Sequence, residues 1–344
     1  MIKVLIVDDS AVVRKVMTDQ LSRFEDIEIV GAAVDAYDAR DKIISLRPDV
    51  VTLDLGMPKM DGLSFLAKLM QHHPMPVVVL SALTPKNSKT ALRALDLGAV
   101  EVLCKPGAGQ STKSILQTVA HAIRTAAVAQ IRFKSIPLPS IDKHILKSSF
   151  VLENTNKVIA MGASTGGTKA IEYVLRELPA SSPGVVIVVH MPENFTTTFA
   201  QRLNESSAMK VREASDGDRV LPGTALIAPG NHHIVLKRIG GTYRVRLKNG
   251  PKVHYQRPSV DVLFQSVAQT AGRNAVGVLL TGMGADGAKG LLSMKDNGAM
   301  TIAQDEASCV VFGMPKEAIK LGAVGAVVPL SGVAQTVVHT LKDQ

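Results

Sequence analysis

Residues 157–167 read KVIAMGASTGG, and this stretch decides the fold. Lys157–Met161 is a short apolar run suited to a buried strand. The glycines that follow stop it, and Gly167–Leu178 resumes with apolar residues at helical spacing. A strand that breaks at a glycine turn and continues as a helix is the repeating unit of a parallel α/β sheet. The turn holds G-x-S-x-G as Gly162-Ala163-Ser164-Thr165-Gly166, a context in which a tight turn exposes a nucleophilic hydroxyl. The helix N-terminus behind it favours developing negative charge. A phosphate cradle is the competing reading of such a loop. However, no lysine follows at P-loop spacing, and the full G-x-G-x-x-G pattern is absent.

The same alternation continues outward. Val185–Val189 reads as a buried strand ending at His190. Ala275–Leu280 is a strand that runs into TGMGADG at 281–287, with a helix over Gly284–Asn297. Ser259–Ala271 is helical. Weaker strands lie near Leu226–Ala228, Ile234–Lys237 and Tyr243–Leu247, and the last two flank Gly240-Gly241 as a hairpin. Parallel strands place their carboxyl ends on one edge, where ligands bind. His190 and Asp286 therefore share an edge with Ser164, and the three meet if their strands are neighbours. A serine needs a base, and the base needs an orienting carboxylate. The plainer roles are a core or capping histidine and a helix N-cap or turn aspartate. His232 and His233 rank below His190 as loop contacts near a substrate, because neither closes a buried strand.

The first 125 residues form five strand–helix units. Strands are expected over Lys3–Val7, Glu28–Val34, Val50–Leu53, Val77–Leu80 and Val100–Leu103. Helices are expected over Ala11–Phe24, Ala36–Leu46, Gly62–His72, Asn87–Leu97 and Gln110–Thr125. Asp8 and Asp9 end the first strand, Asp54 the third, Ser81 the fourth and Lys105 the fifth. Three carboxylates in one pocket repel one another and call for a cation, and oxygen donors with room for water suit Mg²⁺. A neutralised carboxylate can accept a phosphoryl group, with a hydroxyl and an ammonium to hold its oxygens.

Between the two patterns, residues 126–156 contain two prolines, scattered serines and no sustained period, as expected of a linker. The organisation is thus 1–125, linker 126–156, and a second α/β domain over 157–344. The 344 residues are 46% hydrophobic and 20% charged, which is ordinary globular composition. Aromatic residues at 3% weigh against a base-stacking platform, and glycine-loop α/β structure weighs against a helix-turn-helix regulator. No apolar run approaches the roughly 20 residues of a membrane span. The N-terminus reaches two aspartates before any signal-peptide core, so a cytoplasmic protein is expected. Cys104 and Cys309 form neither a disulfide framework nor a metal cluster and read as small buried hydrophobes. The net charge is +9, and Lys237–Arg257 holds seven Lys or Arg and no acid. That stretch suits an acidic partner, or else forms a solvated hairpin face.

Residues 1–125 resemble the response-regulator receiver domain, including MPKMDG at 57–62. The resemblance implies a flavodoxin-like sheet of five parallel strands, phosphorylation at Asp54, metal binding by Asp8, Asp9 and Asp54, and phosphate sensing by Ser81 and Lys105. Val102 stands where many receivers place a switching aromatic, and Gly56 lacks the side chain often found two residues after the phosphoacceptor. Over nearly the full length, GASTGGT at 162–168, HMPENFT at 190–196, APGNHH at 228–233, TGMGADGAKG at 281–290 and FGMPKEA at 312–318 resemble the chemotaxis protein-glutamate methylesterase family. That implies a doubly wound methylesterase domain with Ser164 as nucleophile, His190 as general base and acid, and Asp286 as its orienting partner. Backbone N–H groups near Thr165 and Met283 are the oxyanion candidates. The implied reaction is hydrolysis of glutamate methyl esters on methyl-accepting chemotaxis receptors, releasing methanol, with glutamine deamidation in some members. A chemotaxis histidine kinase is the implied phosphodonor. Mg²⁺ is expected in the receiver and no cofactor at the hydrolase site; a monomer without nucleic-acid binding or membrane insertion is expected. The alternative is an adaptor of a chemosensory array that binds receptor or kinase without hydrolysis.

Overall fold

The structure is a computed structural model that describes residues 1–81, 85–105, 112–131 and 156–342. The chain divides into two compact units, Met1–Phe133 and Lys134–Gln344. Most of the stretch read as a linker lies outside the described residues.

In the first unit the chain runs β1 (Ile2–Val7), α1 (Ala11–Leu21), β2 (Ile27–Ala33), α2 (Ala36–Leu46), β3 (Val50–Asp54), α3 (Gly62–His72), β4 (Val77–Ser81), α4 (Pro85–Leu97), β5 (Glu101–Cys104) and α5 (Thr112–Ala127). The helices start where the side-chain chemistry favours it. Ser10, Asp35 and Asp61 each accept a first-turn N–H of the helix that follows, as N-caps do. All strand pairs are parallel, in the order β2-β1-β3-β4-β5. The order reverses between β1 and β3, which is the switch point of a flavodoxin-like sheet. Val4, Ile6, Val50, Val78 and Leu80 pack with Leu21, Ile123 and Ala126 in one core.

The second unit runs β6 (Val158–Ala163), α6 (Gly167–Glu177), β7 (Gly184–Val189), α7 (Phe195–Ser206), β8 (Lys210–Glu213), β9 (Thr224–Ile227), β10 (His233–Ile239) and β11 (Thr242–Lys248). It continues with α8 (Val260–Ala271), β12 (Ala275–Leu279), α9 (Ala288–Asp296), β13 (Met300–Gln304), α10 (Met314–Lys320), β14 (Ala326–Val328) and α11 (Leu330–Lys342). Seven parallel strands lie in the order β14-β13-β12-β6-β7-β9-β8, and β10 and β11 form a separate antiparallel hairpin. Helix α9 starts four residues after the expected position, because Gly284 and Gly287 adopt positive φ and keep 284–287 as a loop. Strands β8, β13 and β14 have no counterpart in the sequence reading. Among the described residues no helix is long and apolar enough to cross a membrane.

The central strands β12, β6 and β7 are buried along their whole length. Their order places the sheet's switch point beside β6, where chain progression reverses from β7 to β12. A crevice therefore opens at the carboxyl ends of these three strands.

Candidate functional site

Ser164 follows β6, His190 follows β7, and Asp286 lies in the loop after β12. Backbone bonds bring the three loops together. His190 N donates to Ala163 O at 3.2 Å, and Ser164 N donates to Thr281 O at 3.0 Å. The Thr281 hydroxyl donates to Thr165 O at 3.0 Å, joining the β6 and β12 loops a second time. The left-handed residue of the serine turn is Gly166, φ 78°, where a Cβ would come within 2.6 Å of Val310. Ser164 itself is not left-handed, so the turn's conformational demand falls on the glycine.

His190 bridges the other two residues. Its Nδ1 lies 3.1 Å from Ser164 Oγ, and its Nε2 lies 2.8 Å from Asp286 Oδ2. A carboxylate accepts, so Nε2 carries the proton and Nδ1 is free to accept from the serine hydroxyl. The His190 and Asp286 side chains are only 7% and 2% exposed, so little water competes for this contact.

Asp286 accepts three further hydrogen bonds. Val260 N donates to Oδ2 at 2.8 Å; Ser259 Oγ and Asp261 N donate to Oδ1 at 2.7 and 3.0 Å. The plain reading of Asp286 as a helix cap is thus half right: it caps a first turn, but that of α8, not of the helix that follows it. Asp261 returns the favour by accepting Gly290 N of α9 at 2.6 Å. Burial raises the Asp286 pKa, but the His190 bond and the α8 donors outweigh it and hold the carboxyl below its ordinary value. Asp261 has the opposite balance: burial, with the adjacent Asp286 charge, pushes it up.

Close approach of backbone makes this geometry accessible. A Cβ on Gly282 would come within 2.7 Å of Ser164 Cβ and 3.1 Å of Ser164 N, so the 282–283 peptide sits against the serine. Among the described residues, the backbone N–H groups of Thr165 and Met283 donate to no protein acceptor. Both are therefore unpaired donors close to Ser164.

His254, Asp261 and Asp286 have donor atoms within 4.8 Å of one another. With its two oxygens already accepting four hydrogen bonds, Asp286 is poorly placed to take a metal as well. Burial raises the thiols of Cys309 to about 12 and Cys104 to about 11, so neither is a ready thiolate nucleophile. Cys309 is buried as expected, whereas Cys104 is partly exposed at the end of β5. Of the histidines ranked below His190, His232 is half-buried, with Nδ1 3.2 Å from Gly230 O. His233 is buried at the start of β10 and is not a loop contact.

The first unit assembles its own pocket at the β1/β3 switch point. Carboxylate oxygens of Asp8, Asp9 and Asp54 lie within 4.8 Å of one another, with Asp8 and Asp54 buried and Asp9 exposed. Lys105 Nζ reaches Asp8 Oδ2 at 2.7 Å and Asp54 Oδ2 at 2.9 Å. Burial lowers the Lys105 pKa, but these two carboxylates outweigh it and hold it above the usual value. Ser81 ends β4, hydrogen-bonded in register beside Cys104 of β5. A Cβ on Gly56 would lie 3.5 Å from Asp54 Oδ2, so the position faces the carboxylate without a side chain. Val102 is buried in β5. Three hard oxygen donors, two buried and one exposed to solvent at Asp9, fit a small divalent cation with space for water.

Fold and site together define the class: an α/β protein with a hydrogen-bonded serine–histidine–aspartate arrangement, preceded by a receiver-type unit. Comparison with known proteins agrees with both halves. The family profile "CheB methylesterase" matches residues 159–337, and "Response regulator receiver domain" matches residues 4–117. A protein-glutamate methylesterase/protein-glutamine glutaminase of Syntrophus aciditrophicus is 55% identical over 338 residues, 98% of each chain. That of Salmonella typhimurium is 53% identical over 337 residues, 97% of this chain and 95% of the relative. The crystal structure of the Thermotoga maritima CheB methylesterase catalytic domain has TM-score 0.53 and 37% identity, covering 54% of this chain and 99% of that one. The chain belongs to the CheB methylesterase family.

Proposed function

We propose that this chain is a receiver-controlled protein-glutamate methylesterase and glutamine deamidase that acts on methyl-accepting chemotaxis receptors. The observation that carries the reading is His190, which bridges Ser164 and Asp286 through its two ring nitrogens. In the proposed reaction Ser164 Oγ attacks the γ-carbonyl carbon of a receptor glutamate methyl ester while His190 Nδ1 takes the hydroxyl proton. Asp286, held ionised, stabilises the imidazolium that forms. The Met283 N–H, with Thr165 N–H as a second donor, faces the developing oxyanion. His190 then returns the proton to the methoxy oxygen, and methanol leaves. Water, deprotonated by the same nitrogen, cleaves the acyl-serine to glutamate. An amide in place of the ester passes through the same steps and releases ammonia.

In the receiver, Asp54 is the proposed phosphoacceptor, with Ser81 and Lys105 as ligands of the phosphoryl oxygens. Asp8, Asp9 and Asp54 would hold Mg²⁺, which when bound supplies the positive charge that allows a carboxylate to accept a phosphoryl group. A chemotaxis histidine kinase is the phosphodonor that fits this unit.

The test is hydrolysis of methylated receptor membranes in ¹⁸O-water. Methanol release with one ¹⁸O in each new glutamate carboxylate is expected, and both signals should vanish in Ser164→Ala. Label appearing in methanol, or undiminished release from the serine variant, would contradict attack by Ser164 at the acyl carbon.

A further inference from the structure

We infer that His233 is a positioning residue of the triad, acting through Ser259. Three of the four donors to the Asp286 carboxylate come from one turn, Ser259–Asp261. Wherever that turn sits, the carboxylate follows, and with it the nitrogen of His190 that meets Ser164. The turn is in turn held from the hairpin. His233, 3% exposed, accepts Ser259 N on Nδ1 at 3.2 Å, and its Nε2 lies 2.9 Å from Pro251 O. A backbone N–H on one nitrogen and a carbonyl on the other leave one arrangement: Nδ1 accepts, Nε2–H donates, and the ring is neutral. Ser259 thereby sits between two histidines. Its N–H is fixed by His233, and its hydroxyl, 2.7 Å from Asp286 Oδ1, passes the registration to the carboxylate that His190 reads. Small displacements of such a shell are felt at the reacting atoms, because attack geometry tolerates little error.

The inference rests on the triad reading above, and the two amide substitutions separate its parts. His233→Asn places a carbonyl oxygen near the Nδ1 position and retains an acceptor for Ser259 N. His233→Gln reaches the Nε2 position and retains a donor for Pro251 O, but offers Ser259 nothing. Steady-state methanol release from methylated receptor membranes is measured for the full chain, with thermal unfolding run beside it. For His233→Gln, kcat is expected to fall by about ten- to a hundredfold with KM unchanged, and His233→Asn should recover most of the loss. His233→Leu is a second acceptor-free variant should the glutamine chain fail to fold. Placed on Asp286→Asn, the His233→Gln change should cost less than about twofold, because its route to His190 is already cut. Equal kcat for the Gln and Asn variants, or a full-sized loss on the Asp286→Asn background, would overturn the inference. An inactive wild type would instead overturn the triad reading on which it rests.

Discussion

His190 turns Nε2, not Nδ1, toward Asp286, with 2.8 Å between Nε2 and Oδ2. In chymotrypsin-type triads the aspartate takes Nδ1 and the serine faces Nε2. Here the ring is used the other way round, so the basic lone pair belongs to Nδ1. Nitrogen-15 NMR of the histidine-labelled protein near neutral pH should show His190 Nε2 protonated and Nδ1 bare. The Nδ1–H tautomer would contradict the assignment.

Replacing Asp286 by Asn should damage activity and stability together. One amide oxygen cannot serve four donors spread over two carboxylate oxygens. Whichever way the amide sits, its NH₂ faces two donors. The expected loss in kcat is about 10⁴-fold, as for the amide variant of a serine protease's orienting aspartate. Each donor left without a partner costs about 1–3 kcal/mol.

The same residue sets a pH dependence whose sign follows from its depressed pKa. A carboxyl lowered in the folded state contributes fully above its unfolded value, about 3.9, and loses that contribution as pH falls through the folded value. The stability gap between wild type and Asp286→Asn should be widest near neutrality and narrow below about pH 4. Urea unfolding at pH 7 and pH 3 measures it. A gap that widens on acidification would contradict the direction of the shift.

Gly162 tests how helix α8 supports the site. A Cβ there would come within 2.2 Å of Val260 Cγ1 and 3.1 Å of Val260 Cβ. Val260 is the residue whose N–H holds Asp286 Oδ2. Gly162→Ala should therefore cost about 1–3 kcal/mol by overpacking, and lower kcat by moving the α8 turn. Val260→Ala added to it should restore part of both, through a favourable coupling in the double-mutant cycle. Strict additivity would show that the two positions do not meet.

In the receiver, Lys105→Ala leaves buried Asp8 and Asp54 without their ammonium partner. The unfolding midpoint of this unit should fall in chelator and recover with Mg²⁺, because a cation bound only by the folded state stabilises it. Thermal scans with and without Mg²⁺ decide it. A midpoint insensitive to Mg²⁺ in both wild type and variant would remove the metal assignment.

Much of this site was legible because parallel α/β topology sends every strand's carboxyl end to one edge. Asp8, Asp54 and Lys105 close short apolar runs, and so do Ser164 and His190, so counting from strand ends locates them. Asp286 stands further out in a glycine loop, and its motif marked it. Ser259 was invisible as a functional residue for a different reason. It looks like an ordinary N-cap, and its partner lies 27 residues away, across a helix and a strand. The burial of His233 escaped because sequence gives no sign that a histidine opening a strand is enclosed between a carbonyl and an amide. Strands β8 and β13 escaped because polar residues such as Lys210, Arg212, Thr301 and Gln304 interrupt their apolar pattern, and β14 because it is only three residues long, while pairing to neighbouring strands supplies the rest.

The most direct test of receiver-controlled hydrolysis is methanol release from methylated receptor membranes, with and without a small-molecule phosphodonor plus Mg²⁺. Wild type should be stimulated by the phosphodonor, Asp54→Asn should release methanol without stimulation, and Ser164→Ala should release none. Equal stimulation of wild type and Asp54→Asn, or release from Ser164→Ala, would contradict the account.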